Sequence, residues 1–261
     1  MTWEEINRKR LPFIRFGENL FKRMYGEIRK SYISIIKDAQ TAEEINQLAE
    51  SFRFNENIVR VNYERFYLKT GLSYARNIQK SYNKRLELKD INEDILEEVW
   101  YTQIMEFVKN KVGNNISSVI KTHYADIQRI TKNAVKAGID KGWGMDKIAR
   151  KIMLDQQDIE HWKAMRIART EVVSASNEGV KVGYEQLPGN KEKVWISTFK
   201  QTSRPDHMEM DGVRVPYNEL FTLSNGHQLE YPCDPDPAHG DAGDKINCGC
   251  GYDILVIPEM Y

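Results

Sequence analysis

The chain has 261 residues, enough to bury a proper core in one or two domains, and its 29% charged residues and mean hydropathy of −0.61 describe a soluble, helix-rich protein. No apolar run approaches the ~18–20 residues that span a bilayer, so a membrane partner is not expected. The net charge of zero hides an asymmetry: residues 1–150 hold 27 Lys/Arg against 20 Asp/Glu, and residues 151–261 hold 11 against 18.

The N-terminus, Met1-Thr-Trp-Glu-Glu, lacks the basic start and apolar stretch of a signal peptide, which points to a cytoplasmic protein. The three cysteines, Cys233, Cys248 and Cys250, are an odd number and suit thiols or metal ligands better than a disulfide framework.

Of eight prolines only Pro12 precedes residue 188, and a stretch without proline can hold long helices because no amide donor is lost and no turn is crowded. Apolar residues recur at helical intervals at Phe13, Leu20, Met24 and Ile28, and again at Ile91, Ile95 and Val99 beside Leu96, Trp100 and Ile104. Thr2-Trp-Glu-Glu5 and Thr41-Ala-Glu-Glu44 read as capping boxes. Residues 2–187 therefore predict six to eight helices, with breaks near Thr41, Asp90, Gly113 and Gly142-Trp-Gly144. The last of them is expected from about Asp155, its N-cap, to Leu187, with Ile159, Trp162, Met165, Ile167, Ala168, Val172 and Val173 on the apolar face. Thr170, Ser174 and Asn177 form a polar stripe. Strands are expected at Lys193–Lys200, Val213–Val215, Phe221–Leu223 and Tyr252–Ile257. The fold class is α+β, with a helical region over 1–150 and a smaller α+β module over 151–261 in which Trp195 and Phe221 are buried.

The most informative segment is the last. It carries Trp195-Ile-Ser-Thr198, Arg204-Pro-Asp-His207, Asp211-Gly212, Phe221, Pro232-Cys-Asp-Pro235 and Asn247-Cys-Gly-Cys250 between short apolar pieces. Residues i and i+2 of an extended strand share a face, so Cys248 and Cys250 can present two sulfurs together. With His207 they form a candidate structural zinc set, with Cys233, His239, Asp211 or His227 as the fourth ligand. Reduced, half-buried thiols beside a hydrogen-bonded histidine are the plainer alternative, and a disulfide through Cys233 is a third.

Ala168-Arg-Thr-Glu171-Val172, followed by Asn177-Glu-Gly179 and the series from Trp195 to Cys250, resembles the phage head morphogenesis family, the Mu F-like minor head proteins. The resemblance covers about residues 130–253, taking in Gly138-Ile-Asp-Lys-Gly142 and Ile148-Ala-Arg-Lys-Ile152 upstream. The chain departs from the pattern at Phe199–Arg204, where an Asp-rich turn is usual, at Cys233, where glycine is usual, and at Gly249, where a basic residue is common. The resemblance implies a structural, non-catalytic protein of tailed-phage heads, made in the host bacterial cytoplasm and ending in the virion. Its implied partners are portal, capsid or scaffold proteins and, through the basic half, packaged DNA bound without sequence preference. The family-matched residues Arg169, Thr170, Glu171, Asn177, Trp195, Arg204, Asp211, Gly212 and Asn247 are then structural, with Arg169–Asp211 and Glu171–Arg204 as example pairs.

Three other readings fit the residues. Asp206-His207 with His239 and Asn247 suggests an HNH-like metal nuclease. Arg169, Ser197-Thr198 and Glu209-Met-Asp211 suggest an ADP-ribosyltransferase, which would need its arginine on a strand. A helical adaptor with a zinc-stabilised tail is the remaining one.

Overall fold

A computed structural model describes residues 2–86 and 93–257. The fold is α+β. Six long or medium helices come first: α1 (Trp3–Ile36), α2 (Ala42–Ser51), α3 (Asn57–Leu86), α4 (Glu93–Phe107), α5 (Gly113–Asp140) and α6 (Met145–Glu185). The tail holds strands β1 (Asn190–Ile196), β2 (Arg214–Pro216), β3 (Phe221–Thr222), β4 (Gln228–Leu229) and β5 (Gly251–Ile257), with the short helices α7 (Pro205–Glu209) and α8 (Ala242–Lys245) between them. No helix among the described residues is long and apolar enough to cross a membrane.

The contacts divide the chain into two compact units that are not consecutive stretches. One is built from Met1–Gly17, Glu64–Asn114 and Ala168–Tyr261, the other from Glu18–Tyr63 and Asn115–Ile167.

In the second unit, α5 buries Ile116, Ile120, His123, Ile127, Ile130 and Ala134, a spacing of alternating four and three that keeps one helical face inward. His123 lies 4.8 Å, ring to ring, from Tyr25, and Tyr32 shares a 2.7 Å hydrogen bond with Thr131. Thr41 caps α2 by accepting the Glu44 amide at 3.1 Å, while the Glu44 carboxylate accepts the Gln40 amide at 2.9 Å. Thr2 and Glu5 satisfy each other's amides at the start of α1, so that predicted capping box forms in full, whereas the one at Thr41 forms only in its Thr41 half, Glu44 reaching Gln40 instead.

Several expectations are corrected. The last helix begins at Met145, not Asp155; Asp155 lies inside α6 and accepts from Lys151 at 2.7 Å one turn before it. Its inward face is turned as well, because Trp162 is 66% exposed while Gln156, Glu160 and Lys163 are buried. Arg29 pairs with Glu160 and Asp126 with Lys163, so the two charged members of that face have charge partners. Gly113 is not a break. A π turn, Val108–Val112, runs from α4 into α5, and Gly113 keeps helical angles (φ −54°, ψ −36°). Ile95 faces solvent, whereas Trp100 and Ile104 are buried. The break expected near Asp90 falls outside the described residues.

The first unit centres on the second half of α6, where every residue from Glu171 to Val180 is buried. Small residues allow that. A Cβ on Gly179 would stand 2.5 Å from the Gly71 carbonyl oxygen of α3, so the two backbones touch. A three-stranded antiparallel sheet runs in the order β2-β1-β5, with Trp195 opposite Tyr252 and Val194 opposite Arg214 and Asp253. β3 and β4 form a separate two-stranded ladder, Phe221 opposite Leu229. β4 was not expected. Trp195 and Phe221 are fully buried, edge to face at 5.3 Å.

Candidate functional site

The tail's polar residues are held by a scaffold that reaches back to α1. Arg10, 3% exposed, donates to Ser176 Oγ (2.8 Å), Asn177 Oδ1 (2.8 Å) and the carbonyls of Gly249 (3.0 Å) and Cys250 (3.1 Å). Asn177 uses its remaining groups on the tail, donating to the Pro232 carbonyl at 2.6 Å while its own carbonyl accepts the Tyr252 hydroxyl at 3.0 Å. Nothing local marked Arg10 as special: it closes the run Arg8-Lys9-Arg10, which reads as a solvated face.

The Cys-Gly-Cys turn is fixed on both sides. Asp241 and Asp244 form a reciprocal capping box at α8, and the Cys248 amide then donates to the Lys245 carbonyl. Asn247 takes a positive φ of 57° and donates its amide to Thr170 Oγ1 at 3.2 Å. A side chain at Gly249 would meet Thr198 Cγ2 at 2.8 Å, so glycine lets the turn lie against β1's exit.

His207 arrives from the other direction. Arg204 and Pro205 start α7, with Arg204 donating to the Ile246 carbonyl at 2.7 Å, and the Trp195 ring stands perpendicular to His207 at 5.4 Å. His207 Nδ1 is 3.5 Å from Cys248 Sγ and 3.8 Å from Cys250 Sγ, and all three residues are buried. Hydrogen bonding between the two thiols splits them: it holds Cys250 well below the ordinary thiol range and pushes Cys248 up. Ser197 Oγ lies 3.9 Å from Cys250 Sγ, and the Ser197 amide donates to Asp211 Oδ1 at 2.8 Å, beside Gly212 at φ +75°.

The remaining predicted residues fall elsewhere. Cys233 does not join the group; its thiol donates to the Lys245 carbonyl (3.3 Å) and the Thr170 carbonyl (3.5 Å), and burial pushes it up. Glu171 pairs with Tyr67 at 2.5 Å, not with Arg204, and burial raises its carboxyl to about 7. Arg169 is exposed on α6, and Asp211 is taken by the Ser197 amide. His239 is bonded to Asp234 at 2.6 Å and His227 to Asp244 at 2.8 Å. Of the residues that suggested an HNH-like nuclease, Asp206 and His207 lie together with Asp244, their ligand atoms within 4.8 Å of one another, while His239 is engaged by Asp234.

A second charged cluster was not anticipated. Glu230 receives Lys181 at 2.6 Å and Lys111, from the π turn, at 3.5 Å; Lys111 also reaches Asp236 at 3.2 Å. Lys193 donates to the Glu230 carbonyl at 3.0 Å. Burial raises neighbouring Glu178 to about 7, with Tyr231 donating to it at 2.7 Å. Lys111, Lys181 and Lys193 converge on Glu230, with Asp236 beyond Lys111, and the cluster cross-braces the tail. The surface grooves of about 360 and 330 Å³ are lined by residues of the second unit and include none of these groups.

Comparison with known proteins adds three findings. Residues 129–252 match the family described as Phage Mu protein F like protein. An NAD(+)–arginine ADP-ribosyltransferase EFV of Enterococcus faecalis (strain ATCC 700802 / V583) is similar to this chain, 29% identical over 184 residues. That match covers 69% of this chain but 34% of the relative, so the chain spans about a third of the protein it resembles. No solved structure matches.

Proposed function

We infer, from the premise that residues 129–252 belong to the Mu F-like family, that this chain is a structural component of phage head morphogenesis, a minor head protein acting at the portal vertex. The carrying observation is the family match itself, over a segment whose matched polar residues act as framework. Thr170 Oγ1, the Asn177 and Arg204 side chains and Asp211 Oδ1 each make a hydrogen bond to the protein's own backbone. A site built for turnover would leave polar groups converging on a cavity. The partners this reading implies are other head proteins, the portal foremost, with weak salt-sensitive contact to packaged DNA through the basic N-terminal half.

The test is to isolate proheads and mature particles from the producing strain and look for the chain by mass spectrometry. Its presence, with reduced infectivity of particles from a deletion strain, supports the reading. Absence from purified heads together with normal infectivity removes it.

The named relative favours a second reading, an ADP-ribosyltransferase-like effector. An alignment of 184 residues in a chain of 261 must include part of 129–252, so the likeness lies at least partly in the Mu F-like region, and about two thirds of the relative lies outside the alignment. Arg169 sits on a helix and is exposed, which argues against this reading. Incubation with NAD+ and an arginine acceptor is expected to give no transfer.

A further inference from the structure

We propose that His207 Nδ1, Cys248 Sγ and Cys250 Sγ are three ligands of a structural zinc ion that ties α7 to the start of β5. The three ligand atoms all lie within 4.8 Å of one another, and the two nitrogen–sulfur separations are 3.5 and 3.8 Å. A tetrahedral zinc with bonds of about 2.0–2.1 Å to nitrogen and 2.3 Å to sulfur has nitrogen–sulfur edges of roughly 3.5 Å. A single thiol–imidazole hydrogen bond accounts for one sulfur at the ring nitrogen, and a tetrahedral ion accounts for both. Here two sulfurs converge on a single nitrogen at nearly equal range.

The surroundings prepare those positions. Asn247 in the left-handed region, Gly249 against Thr198 and the Arg10 bonds to the Gly249 and Cys250 carbonyls set the turn from both ends, so the two sulfurs face the same side. Trp195 stands perpendicular to the imidazole at 5.4 Å. The charges also close. Two thiolates and a neutral imidazole make the zinc centre neutral, so its own burial places no net charge in the interior. Thiolate-rich sets select soft ions of this type. The fourth position of such a site would be taken by a water. Metal binding would contribute folding free energy to a segment made largely of turns.

The test uses the full chain purified without chelator. Elemental analysis is expected to give one zinc per chain, retained by Cys233→Ser and lost from Cys248→Ser and Cys250→Ser. Replacing the metal with Co2+ should give the intense thiolate-to-cobalt absorption of a tetrahedral site in the wild type and in Cys233→Ser. If the ligand variants fail to fold, the cobalt spectrum of the wild type still decides. Folded wild-type protein with neither zinc nor a cobalt–thiolate band overturns the proposal, as does a Cys248–Cys250 disulfide in the purified chain. Loss of metal from Cys233→Ser overturns the ligand set.

Discussion

Removing the Arg10 side chain tests whether the tail is held from α1. Arg10→Ala deletes four hydrogen bonds from a buried cation, to Ser176, Asn177, Gly249 and Cys250, each at 2.8–3.1 Å. Bonds from a charged donor contribute about 1.5–3 kcal/mol each, roughly 6–12 kcal/mol together. Against that stands the desolvation of the guanidinium, several kcal/mol, which no carboxylate in the bond set offsets. Ser176 keeps its own bond to the Val173 carbonyl, which lowers the penalty further. The expected net loss is about 3–5 kcal/mol, roughly 1 kcal/mol of it from unfilled methylene volume. Arg10→Met restores that volume but no donor, and should remain about 2–4 kcal/mol below wild type. The assay is urea unfolding, with the midpoint shifting at constant slope. Hydrogen exchange should show lost protection confined to Gly249–Ile254 and the middle of α6. A Met variant as stable as wild type would refute the reasoning, since the desolvation cost would then cancel the bonds.

Burial holds Glu171 at about 7 against an ordinary 4.5, so the folded state binds its proton more tightly than the unfolded state. This group's contribution is full below about pH 4.5 and fades by a few kcal/mol as pH rises through 7, so Glu171→Gln should gain on wild type between pH 5 and pH 8 in denaturant midpoints. An equal difference at both pH values would contradict it. Burial pushes His123 down to about 3, with Lys163 adding to the effect. A base depressed in this way takes stability away as pH falls below about 6.5, and His123→Phe should flatten that part of the stability profile. Gly179→Ala forces a methyl to within 2.5 Å of the Gly71 carbonyl and should cost about 1–3 kcal/mol or more, read as a lower melting temperature. Thr41→Ala removes the α2 cap and should cost about 1 kcal/mol, with faster amide exchange at Glu44.

The helices were legible because they follow from spacing and from proline's absence, both local properties. The π turn was not, since Val108-Lys-Asn-Lys-Val112 differs from helical sequence in nothing that composition records. The face of α6 was misread for a related reason. Trp162 looks like core, but Glu160 and Lys163 can go inside because Arg29 and Asp126, far along the chain, meet them. Cys248 and Cys250 announced themselves by pairing at i and i+2, and family order linked them to His207. Arg10 carried no such mark, because its meaning lies in four acceptors more than 160 residues away. β4 was missed because two residues, Gln228-Leu229, are too few for alternation to register.

The way the first unit is assembled from three distant segments sets an order of events on the ribosome. The second unit is complete once Ile167 has emerged, whereas the first needs β5 and the Cys-Gly-Cys turn. At about 5–20 residues per second, synthesis of the intervening stretch takes roughly 4–17 s. Throughout that interval Arg10 lacks at least its two acceptors in the Cys-Gly-Cys turn, and Asn177, once made, lacks its partners in the tail. A nascent chain arrested in that window would carry one finished unit and one unfinished core, a natural substrate for chaperones, and release from this state would come with the final strand.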